Sequence, residues 1–352
     1  MSEFRADPIF GDVCLIAKER AERPRRIQMK ESVESETPGP CPLCPGNESL
    51  SPPEVARVGE GGQWHTRAFP NRYPAVRLEA EASFSDLRDA FAPFSAHPGF
   101  GAHEVVVASP SHLTPFWDLD LEEMVSAWKL TQGRIRDLYQ DGRIRYAQVF
   151  LNHGAAAGAS IEHPHLQILA LPFVPAPARR LLEAPECLVC RVLSHETGAS
   201  RDASRRDGGR LILESKHFAA FVDFAPRYPY QFSIYPKGHA SSFQDCPSEE
   251  IADLAQIFST SLHRLQHLLG SVGLNVALYT MPNEVLEGSA PAGSRSRDAR
   301  EPGAGRTTSR MHWFLRVFPR TTRHAGFELG AKIPIVQVSP EDVAHTLRNT
   351  GA

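Results

Sequence analysis

Residues 152–167 read Asn152-His153-Gly154-Ala155-Ala156-Ala157-Gly158-Ala159-Ser160-Ile161-Glu162-His163-Pro164-His165-Leu166-Gln167. The Gly/Ala run lets main-chain N–H groups approach a ligand closely, and a loop of this kind can cradle phosphate oxygens. It ends in two histidines at i and i+2, a spacing that on a strand puts both side chains on one side of the sheet. One of them, His163, can hold a metal while His165 faces a cleft. A neutral imidazole is a competent nucleophile toward phosphorus, provided it stays unprotonated near neutral pH. A main-chain carbonyl accepting from one ring nitrogen would leave the other free for attack. Ser160 and Gln167 are suited to donate to phosphoryl oxygens, where charge develops.

Outward from this stretch, the chain repeats itself. Before it lies an amphipathic helix beginning at Leu121, with Met124, Val125, Trp128, Ile135 and Leu138 near a 3.6-residue period. A second helix has Ile251, Leu254, Ala255, Phe258, Leu262, Leu265 and Leu269, with acids in its first turn after Pro247. Each helix follows an apolar strand and a Pro–His segment: Val105–Ala108 then Pro110-Ser111-His112, and Phe232–Tyr235 then Pro236-Lys237-Gly238-His239. Each precedes a strand (Tyr146–Leu151, Asn275–Thr280), a loop and a histidine-bearing strand. Each half opens with C-x-x-C. The pattern is an internal duplication, with residues 1–172 as one unit, 178–352 as the other, and a Pro/Ala linker over 172–177. Residues 284–309, rich in Gly, Ser, Ala and Arg, read as a long mobile loop.

The duplication predicts two metal sites. Four of the six cysteines form the C-x-x-C pairs, and each pair needs two more ligands to close a tetrahedral site. The repeat supplies them as Cys41, Cys44, His112 and His163, and as Cys187, Cys190, His239 and His312. Two sulfurs and two nitrogens suit Zn2+. A full ligand set with no open position is structural rather than catalytic. The residue two beyond His163 is His165, whereas the residue two beyond His312 is Phe314. Each chain is therefore expected to carry one active site, with the second half a degenerate, supporting copy.

Composition narrows the class. Among 352 residues, 41% are hydrophobic and 22% charged, as in ordinary globular proteins. A formal net charge of −3 argues against bulk nucleic-acid binding. Prolines break the longest apolar run, around Ile168–Pro172, far short of the roughly 20 residues that span a bilayer. The opening MSEFRADPIF lacks a basic-then-apolar signal pattern, so a cytoplasmic location is expected.

The stretch NHGAAAGASIEHPHLQ resembles the active-site motif of galactose-1-phosphate uridylyltransferases, the transferase branch of the histidine-triad superfamily. RADPIFGDVCLIAKERAERP is similar to that family's N-terminal segment, FPNRYPAV to its nucleotide-pocket segment, and HWFLRVFPR with AGFELG to its sugar-side segment. The resemblance implies an α+β fold of two tandem histidine-triad-like units, each an antiparallel sheet packed with helices, forming a pseudo-dimer. It implies ping-pong exchange: His165 attacks the α-phosphorus of a nucleotide sugar, expels hexose 1-phosphate, and passes the nucleotidyl group to a second sugar phosphate. By the same resemblance Arg20, Arg23, Asn71, Asn152, Gly158, Ser160 and Gln167 contact nucleotide or phosphate, and Phe327 and Glu328 the sugar. A homodimer is also consistent with it. The first expectation is a UDP-glucose:galactose-1-phosphate uridylyltransferase. The second metal set and GASIEHPHLQ also resemble ADP-glucose phosphorylase, so an ADP-sugar phosphorylase or a dinucleoside polyphosphate phosphorylase using the same histidine is the alternative. Departures from the pattern are Cys14 in place of Trp, Ala331-Lys332 and Val336-Gln337 on the sugar side, and Leu166, which is expected to narrow the site.

Overall fold

The computed structural model describes residues 2–18, 40–80, 97–197, 209–283 and 310–351. In chain order the elements are β1 (Glu3–Ala6), β2 (Val13–Ile16), β3 (Ala56–Val58), β4 (Thr66–Pro70), β5 (Ala102–Val107), α1 (Leu121–Leu138), β6 (Tyr146–His153) and β7 (His165–Leu171). Then follow α2 (Ala176–Glu183), α3 (Leu188–Thr197), β8 (Leu211–Glu214), β9 (Phe218–Val222), β10 (Phe232–Pro236), α4 (Ser248–Leu269), β11 (Leu274–Tyr279), β12 (Phe314–Pro319), α5 (Gly326–Ala331), β13 (Ile335–Val336) and α6 (Pro340–Asn349). Both predicted amphipathic helices are present, as α1 and α4. The α4 helix stops at Gly270, whose φ of 70° is a left-handed value glycine adopts without steric cost.

Ten strands form one antiparallel sheet in the order β3-β4-β5-β7-β6-β11-β12-β10-β9-β8. From the β6–β11 seam outward, one side runs β6, β7, β5, β4, β3 and the other β11, β12, β10, β9, β8. These are equivalent strands in equivalent order, so the duplicated units form a pseudo-dimer that shares a continuous sheet. The seam pairs His153 with Leu274 through to Val149 with Leu278. A small second sheet, β1-β2-β13, ties the N-terminal segment to the C-terminal one. The expected linker is shorter than its composition suggests, because Pro175 caps α2 and Ala176 already begins the helix.

Strand alternation divides the ten-stranded sheet into two faces. One carries Val106, Val149, Leu151, Leu166, Ile168, Val276, Leu278, Leu315 and Val317, and packs on α1, α4 and α6 in the main core. Leu166 is thus a core residue pointing away from His165 and Gln167, so it does not narrow the site as expected. The other face differs between halves. In the second half it is covered by Ile9, Leu181, Leu188 and Val189, which bury Phe221, Tyr235 and Phe314. In the first half it carries the polar residues His103, His165 and Gln167. Among the described residues no helix is long and apolar enough to cross a membrane.

The covered face of the second half encloses a charge cluster. Arg316 Nη1 bonds Asp7 Oδ2 at 3.1 Å, and its Nε lies 3.0 Å from Asp223 Oδ2. All three side chains are buried. Burial pushes the Asp223 carboxyl up, opposed by Arg316. Phe10 closes over the cluster, its ring centre 4.7 Å from the guanidinium and 5.0 Å from that of Tyr279. Counting from the metal-set histidines, Phe314 stands where the first half has His165, and Arg316 where it has Gln167. Removing one member of a buried ionic group strands the rest without solvent. Arg316→Leu is therefore expected to lower the free energy of unfolding by about 3–5 kcal/mol in a urea titration. Replacing Arg316, Asp7 and Asp223 together by apolar residues is expected to recover only part of that loss, because Asp7 also accepts from the N–H groups of Ile9 and Phe10, and Asp223 from Gln231 and Ser233.

Candidate active site and metal centres

Two quartets, Cys41/Cys44/His112/His163 and Cys187/Cys190/His239/His312, each bring four ligand atoms within 4.8 Å of one another. In the first, Cys44 Sγ lies 3.2 Å from His112 Nδ1 and 3.6 Å from His163 Nδ1. In the second, Cys190 Sγ lies 3.3 Å from His239 Nδ1 and 3.5 Å from His312 Nδ1. The rings of each histidine pair meet edge-on, with centres 5.5 and 5.2 Å apart. His163 and His312 lie two residues before the first residues of β7 and β12 rather than on those strands. Each is oriented by a main-chain carbonyl: His163 Nε2 donates to Ser109 O at 2.7 Å and His312 Nε2 to Pro236 O at 3.0 Å. A carbonyl only accepts, so Nε2 carries the proton and Nδ1 presents its lone pair to the sulfurs, as a metal-binding histidine requires. Burial pushes the Cys44 thiol up to about 11 and His163 down to about 4. The neutral imidazole is the form that ligates a cation, and the thiols would release their protons on binding one.

The same device sets His165. Its Nδ1 lies 2.8 Å from the carbonyl oxygen of His163, so Nδ1 is the protonated nitrogen and Nε2 keeps its lone pair. Burial holds its pKa below the ordinary histidine range, opposed by the bond to His163. His163 therefore joins two functions: its ring belongs to the first quartet and its carbonyl fixes the tautomer of His165.

Gln167 pairs with Phe150 across β7–β6, and Asn152 lies two residues beyond Phe150, so His165, Gln167 and Asn152 share one sheet face. Asn152 continues into a single helical turn, Ala155–Ala157, bounded by Gly154 at φ 78° and Gly158 at φ 80°. A Cβ on Gly154 would come within 3.0 Å of Gly273 Cα, so the loop packs directly on the second half. The N–H groups of Ala157, Gly158 and Ala159 are spent within this turn. Side chains must consequently supply much of the donation to a phosphate here. Ser160 is exposed at the loop's end.

Two residues that the sequence reading misses complete the arrangement. His103 Nε2 lies 3.0 Å from Gln167 Oε1, and His103 Nδ1 accepts from the N–H of Ala75 at 3.2 Å. Asn275, from the second half, donates to Asn152 Oδ1 and to Ala157 O, both at 2.8 Å. The signal for both is a polar residue within an apolar strand, on the face that carries Gln167 or Asn152. The predicted nucleotide residue Asn71 lies beside His103, with Nδ2 and Nε2 3.3 Å apart, and its Oδ1 accepts from Tyr73 N–H. Arg20, Arg23 and the loop over 284–309 lie outside the described residues. Glu328 accepts from its own helix's Ala325 N–H at 3.0 Å. Among the described residues, no hydrogen bond or ring contact joins Glu328 or Phe327 to the His165 group. Lys332 is an exposed left-handed cap of α5.

Residues 1–175 match the family model described as galactose-1-phosphate uridyl transferase, N-terminal domain. The chain is 31% identical over 352 residues to ADP-glucose phosphorylase of Arabidopsis thaliana, spanning 98% of this chain and 92% of that relative. It is 29% identical over 265 residues to galactose-1-phosphate uridylyltransferase of Thermotoga maritima, spanning 73% of each. The crystal structure of an Arabidopsis thaliana ADP-glucose phosphorylase with bound ADP-glucose superposes with a TM-score of 0.76 at 30% identity, covering 99% of this chain and 98% of that one. With a relative above 30% identity along nearly the whole chain and the family model matched over residues 1–175, the chain belongs to the galactose-1-phosphate uridylyltransferase family of nucleotidyltransferases.

Proposed function

We propose that His165 carries a nucleoside monophosphate between a nucleotide sugar and a phosphate-bearing acceptor. The observation that carries this reading is the bond from His165 Nδ1 to the His163 carbonyl, which keeps Nε2 as a lone-pair donor. Nε2 attacks the α-phosphorus. A nitrogen–phosphorus bond forms, the bond to the bridging oxygen breaks, and that oxygen leaves on hexose 1-phosphate. An acceptor phosphate oxygen then attacks the same phosphorus and expels the neutral imidazole. Throughout, Nδ1–H stays on the His163 carbonyl, which stabilises the positive charge that the ring gains on phosphorylation. Gln167, Asn152 and Ser160 donate to the phosphoryl oxygens, where donors count most in the transition state.

For the nucleotide, ADP-glucose with inorganic phosphate as acceptor is the first reading, because the relative named for it is 31% identical over 352 residues, whereas the Thermotoga uridylyltransferase is 29% identical over 265. The sugar-side departures at Ala331-Lys332 and Val336-Gln337 fit a site that does not depend on galactose 1-phosphate. Uridylyl transfer is the second reading, favoured by the family model and the Thermotoga relative. In either case residues 1–172 form the catalytic half and 178–352 the supporting half. A homodimer with composite sites would give Phe327 and Glu328 a sugar to meet. Zn2+ is the metal proposed for both quartets, and it supplies a rigid tetrahedral anchor rather than a reactive centre.

Intact-protein mass after mixing with ADP-glucose is expected to rise by the mass of an AMP group, and inorganic phosphate is expected to discharge that adduct. His165→Ala is expected to abolish the adduct with little change in Tm, since His165 is not a metal ligand. A UMP-sized adduct from UDP-glucose, discharged by galactose 1-phosphate, would move the assignment to uridylyl transfer. No adduct from either donor would overturn the histidine mechanism.

Metal analysis is expected to find about two zinc ions per chain, the number that two closed quartets hold. Cys44→Ser and Cys190→Ser are each expected to release one of them and lower Tm. Only Cys44→Ser should also cut activity per folded molecule, by about tenfold or more, because only the first quartet anchors the residue that orients His165.

A further inference from the structure

Asn152 and Gln167 each end in an amide with one accepting and one donating end. Only the donating end helps an incoming phosphate. Nothing in either side chain decides which end faces the cleft, so the decision must come from neighbours.

Both neighbours are present, and each is anchored on a main-chain group of fixed polarity. Ala157 O can only accept, so the end of Asn275 that lies 2.8 Å from it is the NH2 group. That same nitrogen lies 2.8 Å from the Asn152 amide. It can only donate, so it faces Oδ1, and the Asn152 NH2 is turned the other way. On the opposite side of His165, Ala75 N–H can only donate, so His103 Nδ1 carries a lone pair. Burial holds the His103 ring below the ordinary histidine pKa, and a neutral ring with a bare Nδ1 has its proton on Nε2. Nε2 then donates to Gln167 Oε1 at 3.0 Å, and the Gln167 NH2 is turned away from His103. Asn71 turns its Oδ1 to Tyr73 N–H, so the atom 3.3 Å from Nε2 is its NH2 nitrogen, which cannot accept; the acceptor of the Nε2 proton is the nearer Gln167 Oε1.

We propose that His103 and Asn275 are positioning residues, two relays that start at Ala75 N–H and Ala157 O and hold the amides of Gln167 and Asn152 with their N–H ends toward the transferred phosphoryl group. The Asn275 relay crosses the β6–β11 seam, where Asn275 is the register partner of Asn152. The half without a nucleophile therefore contributes to the site of the other. This inference rests on the His165 reading. It adds that amide polarity at the site is imposed from outside and not chosen by the ligand.

The test compares Asn275→Asp with Asn275→Ala, using nucleotidyl transfer from whichever donor loads the wild-type protein. Alanine removes the relay and leaves Asn152 free to turn its N–H end to phosphate. Aspartate accepts only, so it pulls the Asn152 NH2 toward itself and presents Oδ1 to the phosphoryl oxygens. The expected result is a kcat for Asn275→Asp at least about tenfold below that of Asn275→Ala, as for loss of a transition-state donor, with KM values within about threefold of each other. A purely structural role predicts similar kcat values, with both tracking Tm. Equal kcat in the two variants, or wild-type kcat in both, would overturn the proposal. His103→Leu supplies an independent arm should Asn275→Asp fail to fold: kcat is expected to fall with KM retained, and unchanged kcat would overturn it. If the wild-type protein forms no adduct with any donor, it is the histidine mechanism that fails, an outcome distinct from either of these.

Discussion

The pairing of β6 with β11 is the constraint on which the rest of the molecule depends. These two strands are equivalent members of the duplicated units, and their antiparallel ladder turns two five-stranded sheets into one. An exposed sheet edge on either unit would be a template for unwanted pairing, and here each unit covers the other's. The same ladder sets Asn275 against Asn152 and packs Gly273 under the loop at Gly154. Helices α1, α4 and α6 line one face of the joined sheet, so the opposite face is where chemistry can be placed. Second-half residues thus support the site without supplying a nucleophile.

Within the site, orientation is set by the main chain. The carbonyls of Ser109 and Pro236 turn the Nδ1 atoms of His163 and His312 toward the sulfurs, and the carbonyl of His163 leaves Nε2 of His165 unprotonated. Side-chain hydroxyls and amides can reverse their roles, whereas peptide groups cannot. Groups of fixed polarity, held by a sheet, are already arranged before substrate arrives, which is the sense in which electrostatic preorganisation avoids reorganisation during reaction. The first quartet, His163 and His165 form one mechanical chain, through which a cation held by the quartet would fix the nitrogen proposed to react.

Much of this is legible in the sequence, for identifiable reasons. Helical periodicity marks α1 and α4 because each buries one stripe. The two Cys/His quartets are readable because ligand count and repetition constrain one another: for a tetrahedral site Cys41 and Cys44 need two histidines, and the second half shows which kind. The carbonyl partner of His165 also follows from the chemistry that a nucleophilic imidazole requires. What sequence cannot supply is register. Leu166 sits beside His165 in the chain, yet strand alternation sends it into the helix-covered core. His103 and Asn275 are 62 and 110 residues from His165 in the numbering, and only the pairing of β5 with β7 and of β6 with β11 brings them to the site. The Gly/Ala loop reads as a row of free N–H groups, but forming its turn consumes three of them.

The filled face of the second half has a consequence for descent. If both units once carried a working pocket, the second was lost by more than one change: Phe314 in the nucleophile's position, Arg316 in the glutamine's, and Phe10 with Asp7 drawn in from the N-terminal segment. Restoring a histidine at Phe314 alone would leave it walled in by Phe10 and by an ionic cluster that the surrounding core now needs. Each alteration makes reversal of the others more damaging. The loss therefore behaves as a ratchet, and selection acting on catalysis is left to refine only one copy of the ancestral unit.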